Sequence, residues 1–181
     1  MVWVRSEYAG ELAVVSAWLA AVVPWNVTYA SAEGLPGKIL YLRFPFFEVQ
    51  YLIDFEINEN QFFLNTIGDA VSQQIGQGVF VAYATWLAGA ALVGLAVLVS
   101  IAYYLEEERV EAGPVDPVLL IGGLLTVAGV VLAVASYLFV ARGIPGYPLP
   151  VGTVLLLVLG GTLLRVDQRE DVDPESVDTE A

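Results

Sequence analysis

Cysteine and histidine are both absent from this chain, and lysine occurs once, as Lys38. Without them the chain has no thiolate nucleophile, no disulfide, no imidazole for acid–base work and no His-based zinc or haem ligand. Basic residues are also scarce, because 7 of them stand against 20 acidic ones and the formal net charge is −13. Such a balance disfavours nucleic acid and anionic lipid as partners.

The chain is instead rich in apolar residues, which make up 57% of its 181 positions. The apolar stretch Val79–Leu105, VFVAYATWLAGAALVGLAVLVSIAYYL, contains no charged residue. A membrane-spanning helix needs about 20 apolar residues, so this stretch predicts one. Leu12–Tyr29, Val118–Val140 and Leu149–Leu164 predict three more. The expected fold class is therefore a membrane α-helical protein, a four-transmembrane-helix bundle.

The segment between the first two predicted spans has the pattern of a small α+β module outside the cytoplasm. Apolar and mainly polar residues alternate from Phe47 to Asn58, which indicates a half-buried strand with Glu48, Gln50 and Asp54 on its wet face. Lys38–Phe44 is the expected partner strand of a β-ribbon, and Gln61–Gln77 is the expected amphipathic helix.

The predicted organisation follows the chain in nine segments. They are a cytoplasmic lead-in (1–11), the first span (12–32), the extracytoplasmic α+β module (33–78), the second span (79–105), a cytoplasmic acidic loop (106–117), the third span (118–140), a short outer loop (141–148), the fourth span (149–165) and a disordered acidic cytoplasmic tail (166–181). A cleaved signal peptide ending at Ala30-Ser31-Ala32 is the alternative for the first span. Trp18 and Trp25 favour a retained helix.

The orientation rests on few charges. Arg5, Arg109, Arg165 and Arg169 fall on one side of the predicted membrane, and Lys38, Arg43 and Arg142 fall on the other. Positively charged residues favour the cytoplasmic side, and the first helix usually dominates. We therefore expect both termini in the cytoplasm.

Six of the eight phenylalanines lie between Phe44 and Phe63. One interpretation is that they pack the module on its own helix or on the bilayer interface. The other is an exposed docking surface for another membrane protein or a second copy, with Phe44, Phe46 and Phe62 at its edge.

Small residues at helical spacing predict close helix packing in the second and third spans. They are Ala84, Ala88, Ala90 and Gly94 in the second, and Gly122 and Gly129 in the third.

Few residues remain for catalysis or metal binding. No predicted span has an ionisable residue in its interior, where transporters tend to place one. Asp54 and Glu56 share a strand face and suit acid–base work, but a wet strand face explains them too. The acids of Glu106–Pro117 could hold a hard cation, or be merely solvated. We predict no cofactor, no metal and no enzymatic activity.

Three function classes remain. They are an accessory or scaffold subunit that binds another membrane or surface protein, a passive channel or small-molecule permease, and an enzyme built on the outer loop. The first is favoured, because packed helices and an aromatic outer module are what it requires.

Two stretches also carry a family resemblance, MVWVRSEYAGELAVVSAWLAAVVPWNVTYAS and LRFPFFEVQY. With the acidic, lysine-poor composition, they resemble uncharacterised small polytopic membrane proteins of halophilic archaea. The resemblance implies a membrane location and adaptation to high salt, and it carries no functional motif.

Overall fold

The computed structural model describes residues 2–31, 37–54, 62–106, 115–143 and 146–169. Its helices are α1 (Ser6–Val22), α2 (Ile67–Ser72), α3 (Phe80–Leu105), α4 (Pro117–Ala141) and α5 (Val151–Leu163). Its strands are β1 (Val2–Arg5), β2 (Asn26–Ala30), β3 (Lys38–Arg43), β4 (Phe47–Ile53), β5 (Phe62–Thr66), β6 (Tyr147–Leu149) and β7 (Val166–Arg169).

Five strands form an antiparallel sheet in the order β5-β4-β3-β2-β6. Its centre is the β3–β4 hairpin, whose last pair is Arg43 opposite Glu48. The turn between them is closed by the Phe44 N–H, which donates to the Phe47 carbonyl oxygen at 2.9 Å. β1 and β7 form a separate, parallel pair.

Four apolar helices contact one another beside the sheet. α4 contacts α3 and α5, and α1 contacts all three. α4 and α5 approach so closely that a Cβ at Gly122 would lie 2.8 Å from the Leu163 Cβ, and one at Gly160 would lie 2.7 Å from the Thr126 nitrogen. Only glycine fits at these two positions.

Two helices of the described residues, α3 with 26 residues and α4 with 25, are long and apolar enough to span a membrane. α3 lies within the predicted span Val79–Leu105. α4 extends one residue beyond each end of Val118–Val140, and the Asp116 carboxylate caps it by accepting the Val118 N–H at 2.7 Å. α1 and α5 are shorter apolar helices.

The prediction that the first span continues through Pro24 to Tyr29 is wrong. α1 ends at Val22, and Asn26–Ala30 is strand β2. Proline has no N–H with which to continue the helix, and the residues that follow it, Val27, Thr28 and Tyr29, are β-branched or aromatic and favour strands. The chain turns at Trp25, whose N–H donates to the Arg43 carbonyl oxygen at 2.9 Å.

The predicted amphipathic helix over Gln61–Gln77 is also mostly wrong. Phe62–Thr66, near its start, is strand β5, and α2 covers only Ile67–Ser72. The Thr66 Oγ1 accepts the Asp69 N–H at 3.2 Å, so Thr66 is an N-cap that fixes where the helix begins. The apolar residues spaced four apart in this stretch, Phe63, Ile67, Val71 and Ile75, therefore do not all lie on one helix.

Three predicted boundaries near the chain ends change as well. The lead-in 1–11 contains β1 and the start of α1, the fourth helix begins at Val151 because Tyr147–Leu149 joins the sheet, and the tail predicted to be disordered from Val166 begins with β7. β1 and β7 lie far apart in the sequence, and local sequence patterns do not reveal a pairing between such distant segments. The remainder of the tail, 170–181, lies outside the described residues.

We predict that β7 contributes to stability. Truncation after Arg165 should lower the melting temperature by several degrees, because it removes the β1–β7 ladder and the buried Val166 side chain, together worth roughly 2 kcal/mol. Truncation after Arg169 is the matched control and should change nothing, since the residues beyond it include few apolar side chains. Equal melting temperatures for the two truncations would contradict this role of β7.

Candidate functional site

The sheet turns its polar face toward the helices and its apolar face outward. The strand register places Asn26, Arg43 and Glu48 side by side in one inward row, and Thr28, Tyr41 and Gln50 in the next. The prediction had Glu48 on a wet face and Tyr51 on a buried one. In the structure Glu48 is 1% exposed and Tyr51 is 42% exposed. Phe47–Ile53 of the predicted strand is strand β4, but its two faces are reversed. The rest of the prediction, from Phe55 to Asn58, lies outside the described residues.

The inward face is organised around a buried ion pair between Arg43 and Glu48. The Arg43 Nε lies 2.7 Å from the Glu48 Oε2, and the two side chains are 0% and 1% exposed. The residues are opposite each other on β3 and β4, so the hairpin register brings them together. Because neither ion reaches water, each depends on the other and on neighbouring dipoles for its stability.

Neutral side chains connect this pair to the next strand and to α4. The Arg43 Nη1 donates to the Thr28 Oγ1 at 2.8 Å and to the Asn26 Oδ1 at 3.2 Å. The Asn26 Nδ2 in turn donates to the Ser136 Oγ on α4 at 3.0 Å. One network therefore joins three strands of the sheet to a helix.

Asn26 is also the first residue of the sequence Asn26-Val27-Thr28, which has the pattern of an N-glycosylation site. Its side chain is fully buried and occupied by these hydrogen bonds. Glycosylation at Asn26 is therefore incompatible with this fold.

Aromatic rings enclose the guanidinium group of Arg43. Its Cζ lies 4.3 Å from the centre of the Phe139 ring and 4.8 Å from the centre of the Tyr41 ring. Cation–π contact of this kind is strongest where the charge is desolvated. Trp25 stacks on Phe139, with ring centres 6.1 Å apart, and lies at a tilt to Trp86, with ring centres 5.9 Å apart.

Trp86 fixes the hairpin turn on α3. Its indole N–H is shared between the carbonyl oxygens of Phe44 and Pro45, at 3.2 and 3.1 Å. These carbonyls belong to a turn and need a donor from outside the sheet. The contact holds the tip of the hairpin against the helix.

Tyr41 lies beside the ion pair on the inward face. Burial raises the pKa of its hydroxyl, the nearby Glu48 carboxylate raises the pKa further, and Arg43 acts in the opposite direction. The phenol therefore stays neutral at physiological pH. It is part of the enclosure and not a ready base.

The network is inaccessible to solvent. Arg43, Glu48, Asn26 and Thr28 are each at most 2% exposed, so a substrate would have no access to them without displacing the sheet. This arrangement can orient and fix the sheet on the helices.

The structure separates the three phenylalanines that were predicted to form one docking edge. Phe44 is half-buried and stacks on Phe47, with ring centres 4.4 Å apart. Phe46 lies against α3, where its Cε1 is 3.6 Å from the position of a Cβ at Gly94. Phe62 is at the opposite end of β4, where it faces Tyr51 and is 48% exposed. A single surface formed by all three does not exist in this fold.

The residues predicted to pack helices lie in different environments. Gly122 and Gly129 of α4 both contact α5, at Leu163 and Leu157. Ala90 is buried, whereas Gly94 contacts the sheet through Phe46.

The pair Ala84 and Ala88 does not form the helix contact expected of it, since Ala88 is exposed. The buried face of α3 instead passes through Gly89, where a Cβ would lie 2.6 Å from the Leu132 side chain of α4.

Among the described residues, no three carboxylates lie close enough together to form a metal site. Asp54 pairs with Lys38 at 3.7 Å on the surface. Glu56 and most of the acidic segment 106–117 lie outside the described part of the chain.

Sequence reasoning missed the Arg43–Glu48 pair, although LRFPFFE carries a signal for it. Two opposite charges flank an apolar four-residue segment with proline at its second position, which is the arrangement of a hairpin turn. Residues that flank such a turn face each other across the strands. Opposite charges there predict a cross-strand pair.

The fold and the network together define a class of protein in which long apolar helices carry a sheet fixed to them by a buried ion pair. Residues 2–168 match DUF7549, a family of unknown function, and the chain belongs to that family. No curated protein matches the chain.

We predict that the ion pair as a whole contributes little to the free energy of unfolding, whereas loss of either ion alone lowers it strongly. Arg43→Met or Glu48→Gln alone should destabilise the fold by roughly 3–5 kcal/mol, because each leaves an uncompensated or poorly paired polar group buried. The double variant Arg43→Met/Glu48→Met should recover most of that loss. Denaturation midpoints in detergent measure all three.

Lys38→Met is the matched control, since it breaks an ion pair that is 47% and 71% exposed. Pairs of that kind contribute about 0–1 kcal/mol. Single variants at 43 and 48 as mild as this control would show that the pair is solvated in the folded protein.

Proposed function

We propose that this chain is a non-enzymatic integral membrane protein, an accessory or scaffold subunit that binds another membrane or surface protein through the free edge of its sheet. The binding edge is strand β5, which carries Phe62 of the predicted docking residues. In this proposal α1, α3, α4 and α5 are four membrane-embedded helices, both termini are cytoplasmic and the sheet lies on the outer side.

Several observations support the membrane placement. α3 and α4 are long enough to span, α1 and α5 pack on them, and large apolar side chains such as Leu98 and Val130 are more than half exposed. The β1–β7 pair brings the start of α1 and the end of α5 to the same side. Arg43 is buried in an ion pair and is no longer a loop charge. The positive charges then number four on the inner side against two outside.

The observation that carries the binding proposal is the open edge of β5. Among the described residues β5 pairs with β4 alone. Ile67 donates its N–H to the Phe46 carbonyl oxygen at 2.9 Å. Since bonding alternates along an antiparallel strand, Phe63 and Asn65 face β4, and the backbone N–H and C=O of Phe62 and Leu64 point away from it.

The side chains of this edge are unusual for a strand that stays unpaired. Phe62, Phe63 and Leu64 are 48%, 41% and 60% exposed, and β5 contains no charged residue and no proline. Edge strands that remain free in water are usually protected by charges, prolines or bulges. An extended segment of a partner could add to β5 through main-chain hydrogen bonds.

The ion pair is the other candidate for a functional site, since ionisable residues near a membrane are often functional. Arg43 contacts Glu48, Asn26 and Thr28 inside the protein, and the side chains of the pair are inaccessible to solvent. The helix interior beneath it is filled by fully buried side chains, including Ile121, Leu125 and Leu132. These observations favour a scaffold over an enzyme or a permease.

We predict the orientation of the helices as follows. The chain lacks cysteine, so single cysteines report on one position each. Ser72→Cys, after α2, should react with an impermeant thiol reagent on intact cells. Val115→Cys, between α3 and α4, should react only after the membrane is opened. Both positions are exposed, which makes them comparable. Labelling of 115 and not of 72 on intact cells would invert the topology.

We predict that partner binding depends on the β5 backbone. In Leu64→Pro the lost N–H is one that points away from β4, so the sheet should remain intact while an added strand loses its donor. Leu64→Lys places a charge on the edge and should also prevent pairing. Both variants should lose co-purifying protein in mild detergent with little change in melting temperature.

The matched control is Ile75→Lys, an exposed aliphatic residue of the outer segment that is not in the sheet. It should keep the partner. Retention of the same partner by Leu64→Pro and Leu64→Lys, both folded, would rule out the β5 edge as the binding site.

A further inference from the structure

The outward face of the sheet is arranged in rows that cross the strands. One row is aliphatic and consists of Leu149, Val27, Leu42, Val49 and Leu64, one from each strand. The next row, farther from the hairpin turn, is mainly aromatic and consists of Tyr147, Tyr29, Leu40, Tyr51 and Phe62. Beyond it Lys38 faces Ile53, and Lys38 pairs with Asp54. Aliphatic, aromatic and charged residues thus follow one another away from the turn.

Much of this face is accessible. Leu149 and Leu64, at the ends of the aliphatic row, are 59% and 60% exposed, while Val49, next to Leu64, is buried. The aromatic row exposes between 42% and 84% of Tyr51, Phe62, Tyr29 and Tyr147. Contiguous exposed apolar residues, without a charge until Lys38, are typical of a surface that meets a membrane or a partner.

The hairpin turn fixes the level of these rows along α3. The Trp86 indole bonds the Phe44 and Pro45 carbonyl oxygens, and Phe46 lies against Gly94. Trp86 and Gly94 are roughly 9 and 21 Å from the first residue of α3 at about 1.5 Å per residue. The whole helix is about 39 Å long, against a hydrocarbon thickness of about 30 Å. If α3 spans the bilayer, its first residue lies between the outer boundary of the hydrocarbon and about 9 Å outside it. The turn, held between Trp86 and Gly94, then lies roughly 6–15 Å inside that boundary.

The rows can be placed from that level. Val49 is three residues and Tyr51 five residues beyond Phe46, which is about 10 and 16 Å along a strand. With the strands running along the helix, the aliphatic row lies near the boundary and the aromatic row lies outside it. Aromatic residues at the headgroup level above an aliphatic band are the usual pattern of a lipid-facing protein surface.

The geometry points to the bilayer itself as the occupant of this face. The sheet is partly immersed, with its aliphatic row in the outer edge of the hydrocarbon, its aromatic row among the headgroups and the Lys38–Asp54 pair in water. The inference rests on the membrane placement of the helices proposed above. It explains why the charged Arg43 and Glu48 are on the inward face, where the sheet shields them from lipid.

The row order favours lipid over a second copy of the chain. Two sheets packed face to face would bury both rows alike and would require no change from aliphatic to aromatic along the strands. The edge strand β6 also suits an apolar environment. It contains Pro148 and is followed by Pro150, and neither has an N–H that lipid would leave unsatisfied.

Depth-dependent quenching tests the inference. Single cysteines carrying an environment-sensitive fluorophore would be placed at Leu149 and Tyr147 on β6, at Leu64 and Phe62 on β5, and at Lys38. Leu98→Cys on α3, with a 63% exposed side chain, is the control for a lipid-exposed helix site. The full chain would be reconstituted in phosphatidylcholine vesicles containing dibrominated acyl chains, and iodide would serve as the aqueous quencher.

The expected order of quenching by brominated lipid is Leu98 first, then Leu149 and Leu64, then Tyr147 and Phe62, with none at Lys38. Iodide should give the reverse order. Quenching at Leu98 with none at the four sheet sites, all open to iodide, would overturn the inference and leave the membrane placement intact. Protection of the sheet sites from both quenchers would overturn it in favour of a second copy. Absence of lipid quenching at Leu98 would instead refute the membrane placement.

Discussion

The structure depends on the burial of Arg43 and Glu48 as a pair. Removing a charged group from water costs several kcal/mol, and only a close partner with further hydrogen bonds offsets that cost. Here the two ions lie 2.7 Å apart, and Thr28, Asn26 and the Phe139 ring also contact the guanidinium group. Because all of these contacts must form together, the ion pair specifies one placement of the sheet on the helices.

This constraint also fixes the strand register and the direction of the two faces. A slip of one residue in β4 would turn Glu48 away from Arg43 and leave both charges unpaired. The inward position of Asn26, Arg43 and Glu48 commits the alternate residues to the outside, and these are apolar. The outward direction of these apolar residues is thus a consequence of the pair.

The sequence predicted the long apolar helices and the strands of the hairpin, because uncharged runs and period-two alternation are local patterns. It did not predict β2, because an apolar run continues through Pro24 and hides the change from helix to strand. It also assigned the wrong faces to β4, since alternation reveals two faces but not which of them meets the helices. That choice depends on Ser136, Phe139 and Trp86, which are distant in the chain.

The candidate site was similarly beyond local reasoning. Local patterns predict that both Arg43 and Glu48 are exposed to solvent, and this is a reasonable prediction for a charged residue taken alone. Of the predicted docking residues, Phe62 remains on an open strand edge, whereas Phe46 packs on Gly94. The phenylalanines are therefore clustered in the sequence, but in the structure they make different contacts.

The most direct test of this account is the distance between the Arg43 guanidinium group and the Glu48 carboxylate in a lipid bilayer. Dipolar recoupling between ¹⁵N-labelled arginine and ¹³C-labelled glutamate side chains would measure it, with Glu48→Gln used to assign the signal. The account predicts a direct contact, as in the 2.7 Å Nε–Oε2 separation, that is the same in dilute and in molar salt. A signal that shows no contact, or one that disappears as salt screens the charges, would contradict the buried pair and with it the orientation of the sheet.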